Sequence, residues 1–271
     1  MTADNSASSG GNATAAIPDK SSNTSGAAPP AQAKPKGRQI HKMRVSEIRD
    51  LTPRIRELTL SCDEPARFEF RCGQFIMLHV PAEPKTLLRA YSMASDDRNS
   101  ESLRLIFNYV DGGPASEFVW KLKGGEILDF TGPFGRLFFQ EPPSEQIIFL
   151  NTGSGVSQHF SYLSSNVLKY SNTKYRLLFG VRSESDIYYR TELENLQSSL
   201  HDFQFDFVLS RPSLDWQGKK GYVQNFIGEF NYMSIPTTFY LCGNGAMIKH
   251  VKEKLTFEGF DAAQILAEAF D

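Results

Sequence analysis

A short stretch, Arg89-Ala90-Tyr91-Ser92, combines residues that can hold a phosphate, stack against a planar ring and hydrogen-bond at that ring's edge. The planar guanidinium of Arg89 presents a fork of N–H donors that matches phosphate oxygens. Side chains alternate along a β-strand, so Arg89 and Tyr91 share one face and Ser92 lies on the other. Such a tetrapeptide alone is more typical of a surface strand, and a ligand site needs support from other motifs.

Several later motifs supply that support at the ends of predicted strands or before predicted helices. Gly113-Pro114-Ala115-Ser116 precedes a helical stretch whose N–H groups can face an anion. Ser116 alone also fits a simple N-cap. Thr152-Gly153-Ser154-Gly155 lies between a buried apolar strand and a helix, where a glycine-rich turn can bind a pyrophosphate. The remaining motifs are Gly132-Pro133-Phe134-Gly135, Ser210-Arg211, Lys220-Gly221-Tyr222, Cys242-Gly243-Asn244-Gly245 and Glu268-Ala269-Phe270.

The first half of the chain, residues 40–141, contains short alternating runs bounded by Pro, Gly, Asp or Asn. Strands of this length and spacing, with one helix among them, predict an antiparallel β-barrel. The predicted strands are Lys42–Ile48, Ile55–Cys62, Gln74–Val80, Leu88–Met93, Leu103–Tyr109 and Ile127–Thr131, and the helix is Ala115–Leu122.

The second half, residues 142–271, alternates strands with helices. This alternation predicts an α/β domain with a doubly wound parallel sheet, which binds its ligand at the carboxyl ends of the strands. The predicted strands are Ile147–Leu150, Tyr175–Gly180, Phe203–Ser210, Thr238–Cys242 and Gln264–Phe270, and the helices are Gln158–Leu168, Thr191–Leu200, Val223–Phe230 and Ala246–Glu258. The two domains would face each other across a cleft.

Composition excludes several other classes of protein. The 29 Lys and Arg residues are balanced by 31 Asp and Glu residues, so no basic field favours nucleic acid. The three cysteines form no C-x-x-C pair, so no disulfide framework, metal site or iron–sulfur cluster is expected, and the default compartment is the cytoplasm. No apolar run is long enough to span a membrane. Residues 1–39 are Ser-, Ala- and Pro-rich and predict a disordered tail; we favour a passive extension, with organellar import left open.

In their order, these motifs resemble the ferredoxin-NADP(H) reductase family from about residue 41 to the end of the chain. The resemblance implies a flavin domain that binds FAD and a nicotinamide domain that binds NADP(H). It implies that Arg89 pairs with the flavin pyrophosphate, that Tyr91 stacks on the flavin and that Ser92 lies beside its N5 atom. The other implied flavin-binding residues are Ala90, Phe107, Asn108, Tyr109, Pro114, Ala115 and Ser116.

The same resemblance implies the residues of the nicotinamide side. Cys242 would lie where the two rings meet, and Glu268 would relay a proton or orient the nicotinamide carboxamide, so these two and Ser92 are the implied catalytic residues. Ser210, Arg211 and Lys220 would grip the 2′-phosphate, and Tyr222 would stack on adenine. The remaining implied cofactor-binding residues are Thr152, Gly153, Gly155, Val181, Arg182, Gly243 and Phe270.

The chain departs from the family pattern at a few positions. In the family, the glycine turn is usually followed by a proline that begins the helix. This chain has Gln158 at that position, and we expect Gln158 to begin the helix instead. His159 follows and is expected to be a polar helix residue without a catalytic role. Cys72 replaces the proline before Gly73-Gln74-Phe75, and Tyr109 replaces a basic residue.

The resemblance implies a monomeric enzyme that passes hydride from NADPH to FAD and delivers electrons singly to a separate carrier, ferredoxin or flavodoxin. A basic segment at the start of the barrel could steer such an acidic carrier. Its members are Lys42, Arg44, Arg49, Arg54 and Arg56. Two alternatives stay open: an NADH-dependent reductase component of a multicomponent oxygenase, and a flavin-binding module without catalytic activity.

Overall fold

The computed structural model describes residues 39–64 and 66–270, which belong to one compact unit. Apart from Gln39, the predicted disordered tail lies outside these residues. The strands are β1 (Ile40–Thr52), β2 (Ile55–Glu64), β3 (Phe75–Val80), β4 (Leu87–Ser92), β5 (Ser102–Asn108), β6 (Ile127–Phe134), β7 (Gln146–Thr152), β8 (Lys174–Val181), β9 (Phe203–Leu209), β10 (Lys219–Lys220), β11 (Thr237–Gly243) and β12 (Ile265–Ala269). The α-helices are α1 (Pro114–Lys121), α2 (Val156–Asn166), α3 (Arg190–Ser199) and α4 (Gly245–Phe257).

The first six strands form an antiparallel sheet in the order β4-β3-β6-β1-β2-β5. Its two edges meet, because Met93 just after β4 forms a β-bridge with Leu105 of β5. Alternate side chains of β3 point inward, so Ile76, Leu78 and Val80 are fully buried in the core. The antiparallel barrel predicted from the sequence is therefore confirmed.

The last six strands form a parallel sheet in the order β10-β9-β8-β7-β11-β12. Its central strands, β7 and β11, are buried along nearly their whole length, as their continuous apolar sequences predict. From β7 the chain moves outward to β10 and then returns to the other side with β11. The strand order reverses between β7 and β11, which is where doubly wound sheets bind ligands.

Helix α2 attaches the α/β half to the barrel. It is buried on nearly all sides although most of its residues are polar. The Ser161 hydroxyl donates to the Ser95 carbonyl at 2.7 Å, and the Tyr162 hydroxyl donates to the Leu137 carbonyl at 2.6 Å. Ser165 accepts from the backbone of Asp97 at 3.1 Å. Since buried polar groups need partners, these bonds to the barrel explain why a buried helix can be polar.

A second contact between the halves centres on the buried carboxylate of Glu57. The Tyr189 hydroxyl donates a hydrogen bond to it, and Arg49 lies 3.2 Å away. Arg104 lies 3.8 Å from the same carboxylate. Tyr189 has a φ of 60°, in the left-handed region that is uncommon for aromatic residues. Two arginines and a phenol thus compensate the burial of one charge.

Most predicted strands and helices are present, with ends that differ by up to four residues. The helix predicted over 223–230 is wrong: the chain forms two short 3₁₀ turns, Val223–Asn225 and Ile227–Phe230. Gly228 disfavours a helix, while the apolar side chains are buried against the sheet without one. The two-residue strand β10 was not predicted because it is too short to show a period.

The domain limits predicted at residues 141 and 142 stay a prediction. Within the described ranges, no helix is long and apolar enough to cross a membrane.

Candidate active site

Strand β4 presents Arg89 to solvent and turns Ser92 inward. In the described part of the chain, the Arg89 guanidinium has one hydrogen bond, from Nη1 to the neighbouring Leu88 carbonyl at 3.0 Å. Ser92 is 6% exposed and lies opposite Phe75 of β3. Because most of its donors have no acceptor among the described residues, Arg89 can bind an anion without breaking a contact seen there.

The Tyr91 ring packs against Phe107 of β5, with ring centroids 4.3 Å apart. Burial raises the pKa of Tyr91 to about 12, so its phenol is neutral at physiological pH. Phe107 is almost completely buried, so it packs against the Tyr91 ring from the core side and has little surface left for a ligand. Ala90, between Arg89 and Tyr91, is exposed and adds no bulk.

The residues after Phe107 lead toward helix α1. Asn108 is exposed, whereas Tyr109 packs edge-on against Trp120 of α1 at 5.0 Å. The Arg54 guanidinium lies over the Tyr109 ring, 5.5 Å from its centroid. Tyr109, which replaces the family's basic residue, is thus already in contact with protein groups.

Two roles were predicted for Ser116 at the start of helix α1, in an anion site or as a simple N-cap, and the second does not hold. Its N-cap is Gly113 and its first residue is Pro114, so the simple N-cap role for Ser116 is wrong. The Ser116 hydroxyl accepts from the backbone of Val110 at 2.9 Å and donates to the carbonyl of Asn108 at 3.4 Å. A proline at the first position is favoured because its missing N–H needs no partner there. The hydroxyl of Ser116 therefore shapes the loop, and the anion-binding role is left to backbone N–H groups.

The glycine-rich turn at Thr152–Gly155 brings β7 and β11 together at the point where the sheet order reverses. A Cβ atom at Gly155 would lie 2.5 Å from the Cys242 carbonyl oxygen. A Cβ atom at Gly243, which has a φ of +120°, would lie 2.3 Å from the Thr152 hydroxyl. That hydroxyl also accepts from the backbone of Asn244 at 2.8 Å. Both glycines are required by this close approach of backbones.

Three residues lie side by side across the adjoining strands. Cys242 of β11 pairs in register with Asn151 of β7 on one side and with Glu268 of β12 on the other. Burial, with the nearby Glu268 charge, raises the pKa of the Cys242 thiol, which is therefore neutral. Burial also raises the pKa of Glu268, and a hydrogen bond from Gln158 opposes that rise.

Gln158 and His159 make contacts that their positions in the motif do not predict. The helix begins at Val156, so the expectation that Gln158 begins it was wrong, because the glycine turn runs directly into α2. The Gln158 amide donates to the Gly73 carbonyl at 3.2 Å and to the Glu268 carboxylate. His159 is a helix residue as expected, but it is fully buried, with Nδ1 3.3 Å from the Asn151 side-chain oxygen. Burial lowers the pKa of His159 to about 3.

The predicted 2′-phosphate residues lie at the opposite edge of the sheet. The backbone of Ser210 donates to Val181 at 3.1 Å, and that of Arg211 donates to Arg182 at 2.7 Å, so these pairs are neighbours. Arg211 and Lys220 are exposed, and Tyr222 is 61% exposed.

An acidic residue not selected from the sequence also lies at this edge. Glu184 accepts from the backbone of Ser213 at 2.9 Å and from its hydroxyl at 2.6 Å. These bonds, with the nearby positive charge of Lys220, lower the pKa of Glu184, so the edge carries one negative charge among its basic groups. A carboxylate engaged in a turn has no signature in the sequence that would have identified it.

Phe270, the residue after β12, is held beside the glycine turn by its backbone, which donates to the Gly243 carbonyl at 2.9 Å. Its side chain is half-buried. Phe270 therefore lies beside Gly243, the residue after Cys242.

The donor sets fit two nucleotides. On the barrel, an exposed guanidinium, a neutral aromatic ring and a helix start preceded by Gly113 suit a flavin nucleotide. On the α/β half, Gly153 has a φ of +52°, and an added Cβ atom there would meet nothing within 4 Å. The glycine turn is thus open on one side, where its backbone can approach a second nucleotide.

Comparison with known proteins agrees with this division. The family model described as "Oxidoreductase FAD-binding domain" matches residues 42–139, and "Oxidoreductase NAD-binding domain" matches residues 149–253. Ferredoxin--NADP reductase B of Sorangium cellulosum is 32% identical over 237 residues, which cover 84% of this chain and 96% of that protein. The chain belongs to the ferredoxin-NADP reductase family. It is therefore a flavoprotein oxidoreductase with an FAD-binding part and a nicotinamide-nucleotide-binding part.

Other members have different roles and lengths. The phenol 2-monooxygenase reductase component DmpP of Pseudomonas sp. is 30% identical over 212 residues, and the match spans 75% of this chain but 58% of that protein. Among solved structures, the ferredoxin NADP+ reductase of Neisseria gonorrhoeae superposes with a TM-score of 0.74 at 22% identity, covering 85% of this chain and 98% of that one. At that identity, the superposition supports the reductase fold alone.

Proposed function

We propose that this reductase takes two electrons as hydride from NADPH and releases them singly to a separate protein carrier, ferredoxin or flavodoxin. The observation that carries this proposal is the register of Cys242 with Glu268 beside the glycine turn, in a chain whose barrel has the exposed Arg89 next to the half-buried Tyr91. FAD, when bound, supplies the conversion between a two-electron donor and a one-electron acceptor. The protein is proposed to be a cytoplasmic monomer.

On the barrel, Arg89 is proposed to pair with the FAD pyrophosphate through N–H groups that have no acceptor within the described chain. The neutral Tyr91 ring offers an apolar surface for the flavin, held in place by Phe107. Ser92 is proposed to place its hydroxyl or backbone beside the reacting edge. The start of α1 is proposed to hold phosphate oxygens with backbone N–H groups.

On the α/β half, Thr152, Gly153 and Gly155 are proposed to cradle the nicotinamide pyrophosphate. Cys242 offers a small, neutral side chain where two rings must approach closely. Glu268 is proposed to orient the carboxamide or to hold a proton nearby. Phe270 is proposed to close the site, since its backbone is tied to Gly243.

The preference for NADPH rests on the basic groups at the sheet edge. Arg211 and Lys220 are exposed near Ser210 and can pair with a dianionic 2′-phosphate, with Tyr222 available to stack on adenine. Glu184 opposes this preference, because a carboxylate repels a phosphate. That residue, together with the likeness to DmpP, supports an NADH-dependent oxygenase reductase as the second candidate.

The proposed carrier is not supported by the basic segment at the start of the barrel. Lys42 lies 3.5 Å from Asp129, and Arg54 lies 3.0 Å from Asp111. Arg56 is buried and pairs with Asp50 at 2.7 Å. These three charges, and that of Arg49 beside Glu57, are paired with acids, so four of the five basic residues in the segment add little field for steering.

The test is anaerobic stopped-flow bleaching of the bound flavin by NADPH and by NADH. Wild type is compared with Arg211→Ala and with Arg67→Ala, a matched control at a 70% exposed arginine on the barrel. We expect faster bleaching by NADPH than by NADH and a selective loss of about tenfold with NADPH in Arg211→Ala, the size of one charge-assisted bond. Preference for NADH in wild type favours the oxygenase reductase. Failure of both nucleotides to bleach the flavin favours the non-catalytic module.

A further inference from the structure

Gln158 joins three separate segments of the chain. Its amide nitrogen Nε2 donates to the Gly73 carbonyl, in the segment before β3, and to the Glu268 carboxylate on β12. The residue itself lies on α2 and is 0% exposed. One side chain therefore connects the barrel, the helix after the glycine turn and the C-terminal strand.

The chemistry of the partners determines which way the amide faces. A carbonyl and a carboxylate both accept hydrogen bonds, so the two N–H donors of Gln158 must point toward them. The amide oxygen Oε1 then faces elsewhere, and it is buried with no hydrogen-bond partner among the described residues. Leaving a buried acceptor unpaired is unfavourable, which indicates that the two donated bonds determine this arrangement.

The barrel end of this connection is close to Ser92. The residue after Gly73 is Gln74, whose carbonyl accepts from the backbone of Met93 at 3.1 Å. The next residue, Phe75, lies opposite Ser92 in the β3–β4 register. Gln158 thus ties the carboxylate of Glu268 to the backbone that supports Ser92.

We propose that Gln158 is a positioning residue, which holds the Glu268 carboxylate in one orientation beside Cys242 and at a set distance from the flavin-side strand. The inference rests on the proposed role of Glu268 in hydride transfer. A proline, as in the family motif, has no side-chain donor and cannot perform this task. A helix that only needed attachment to the barrel already has the bonds of Ser161 and Tyr162.

The proposal has a measurable electrostatic consequence. A donor to the ionised carboxylate lowers its pKa, whereas burial raises the pKa of Glu268, so removing the amide should move its titration to higher pH. Within residues 39–64 and 66–270, the titratable groups near Glu268 are Cys242 on β11 and Tyr162 on α2, both kept neutral by burial. Helix α4 packs on the sheet through apolar residues that include Met247 and Val251.

The first experiment is a carboxyl ¹³C NMR titration of the FAD-bound protein without nicotinamide. The Glu268 signal is identified by its absence in Glu268→Gln. We expect its midpoint to rise in Gln158→Met, which keeps the side-chain volume and removes both donors. Ser161→Ala, which removes another bond from α2 to the barrel, should leave the midpoint unchanged. An unchanged midpoint in Gln158→Met would overturn the proposal.

The second experiment measures flavin reduction by NADPH across pH in single turnovers. Flavin reduction in Gln158→Met should be slower by about tenfold, which is less than the loss expected for removal of a catalytic acid or base. The pH profile of this rate should be displaced to higher pH. The displacement should vanish when Gln158→Met is combined with Glu268→Gln, and its persistence would count against the proposal. If Gln158→Met does not fold, Gln158→Glu keeps the shape and should displace the NMR titration further, through like-charge repulsion. Failure of wild type to react with NADPH refutes the proposed function, while the titration still decides the role of Gln158.

Discussion

The two sides of the candidate active site differ in how far their side chains are already engaged. On β4, Arg89 is exposed and has one backbone hydrogen bond within the described chain. At the ends of β7, β11 and β12, the polar groups are buried or half-buried and contact one another, as the buried Gln158 and the half-buried Glu268 do. The first surface can gain contacts from a ligand at no structural cost, while the second is part of the core.

This contrast predicts different phenotypes for substitutions on the two sides. On the barrel side, losing a ligand-binding group should reduce cofactor affinity without affecting folding. On the α/β side, a change at a buried group should alter stability, or its dependence on pH, even without a cofactor.

The largest effect is expected at Gly155. In Gly155→Ala, the new Cβ atom would lie 2.5 Å from the Cys242 carbonyl oxygen, in backbone that cannot rotate away. We expect the free energy of unfolding to fall by about 3 kcal/mol or more, measured by urea denaturation. Gly153→Ala, in the same turn, meets nothing within 4 Å and should cost only about 1 kcal/mol for its φ of +52°. Equal losses in the two variants would argue against the close approach.

Arg89→Ala tests the exposed side. Loss of a charge-assisted bond to phosphate should weaken FAD binding by about 10- to 100-fold, measured by titration of the apoprotein with FAD. The free energy of unfolding of the apoprotein should change by less than about 0.5 kcal/mol. The FAD affinity of Arg89→Lys should lie between those of wild type and Arg89→Ala, because an ammonium keeps the charge but lacks the forked N–H donors of a guanidinium. Arg67→Ala should bind FAD as wild type does. A large loss of apoprotein stability in Arg89→Ala would show that the barrel side, like the α/β side, contributes to the folded core.

His159→Asn tests the buried side through pH. The native pKa is about 3, whereas an unfolded histidine has a pKa of about 6.5, so only the unfolded state gains a proton as pH falls below 6.5. Stability due to this residue is therefore complete above about pH 6.5 and is reduced by about 2 kcal/mol at pH 5. His159→Asn should shrink the stability difference between pH 7 and pH 5 by that amount in urea denaturation. Replacing His250, an exposed histidine on α4, should leave the difference as it is.

The smallest effect is expected for Glu268→Gln. Burial raises the native pKa of Glu268 above its unfolded value of about 4.3, so its contribution to stability is complete below that value. It is lost as pH rises through the native pKa. The variant should thus gain stability relative to wild type as pH increases through this window, in denaturation curves between pH 4 and pH 7. The exposed Glu253→Gln on α4 is the control, and parallel curves for wild type and Glu268→Gln would show that burial of Glu268 has no consequence.

Much of the fold could be predicted because its signals are local. Alternation along β3, the apolar run of β7 and the glycines around Gly155 each depend on a few consecutive residues. The opposite directions of Arg89 and Ser92 also follow from the period of a strand. Which of the two positions is buried does not, because Ala90 lies on the same side as Ser92 and is exposed. The predicted helix over 223–230 failed because burial of its apolar residues was satisfied by 3₁₀ turns.

The sequence by itself determined the antiparallel and parallel halves and the glycine turns, since periodicity and backbone freedom are properties of short segments. It also indicated the family, through the resemblance of its motifs and their order. Only the tertiary structure decided that Cys242 lies between Asn151 and Glu268, because register depends on strands far apart in the chain. It also decided that Gln158 contacts Gly73 and Glu268, separated from it by 85 and 110 residues. Whether a polar side chain is exposed or becomes a buried partner depends on what packs against it, and that information is not local.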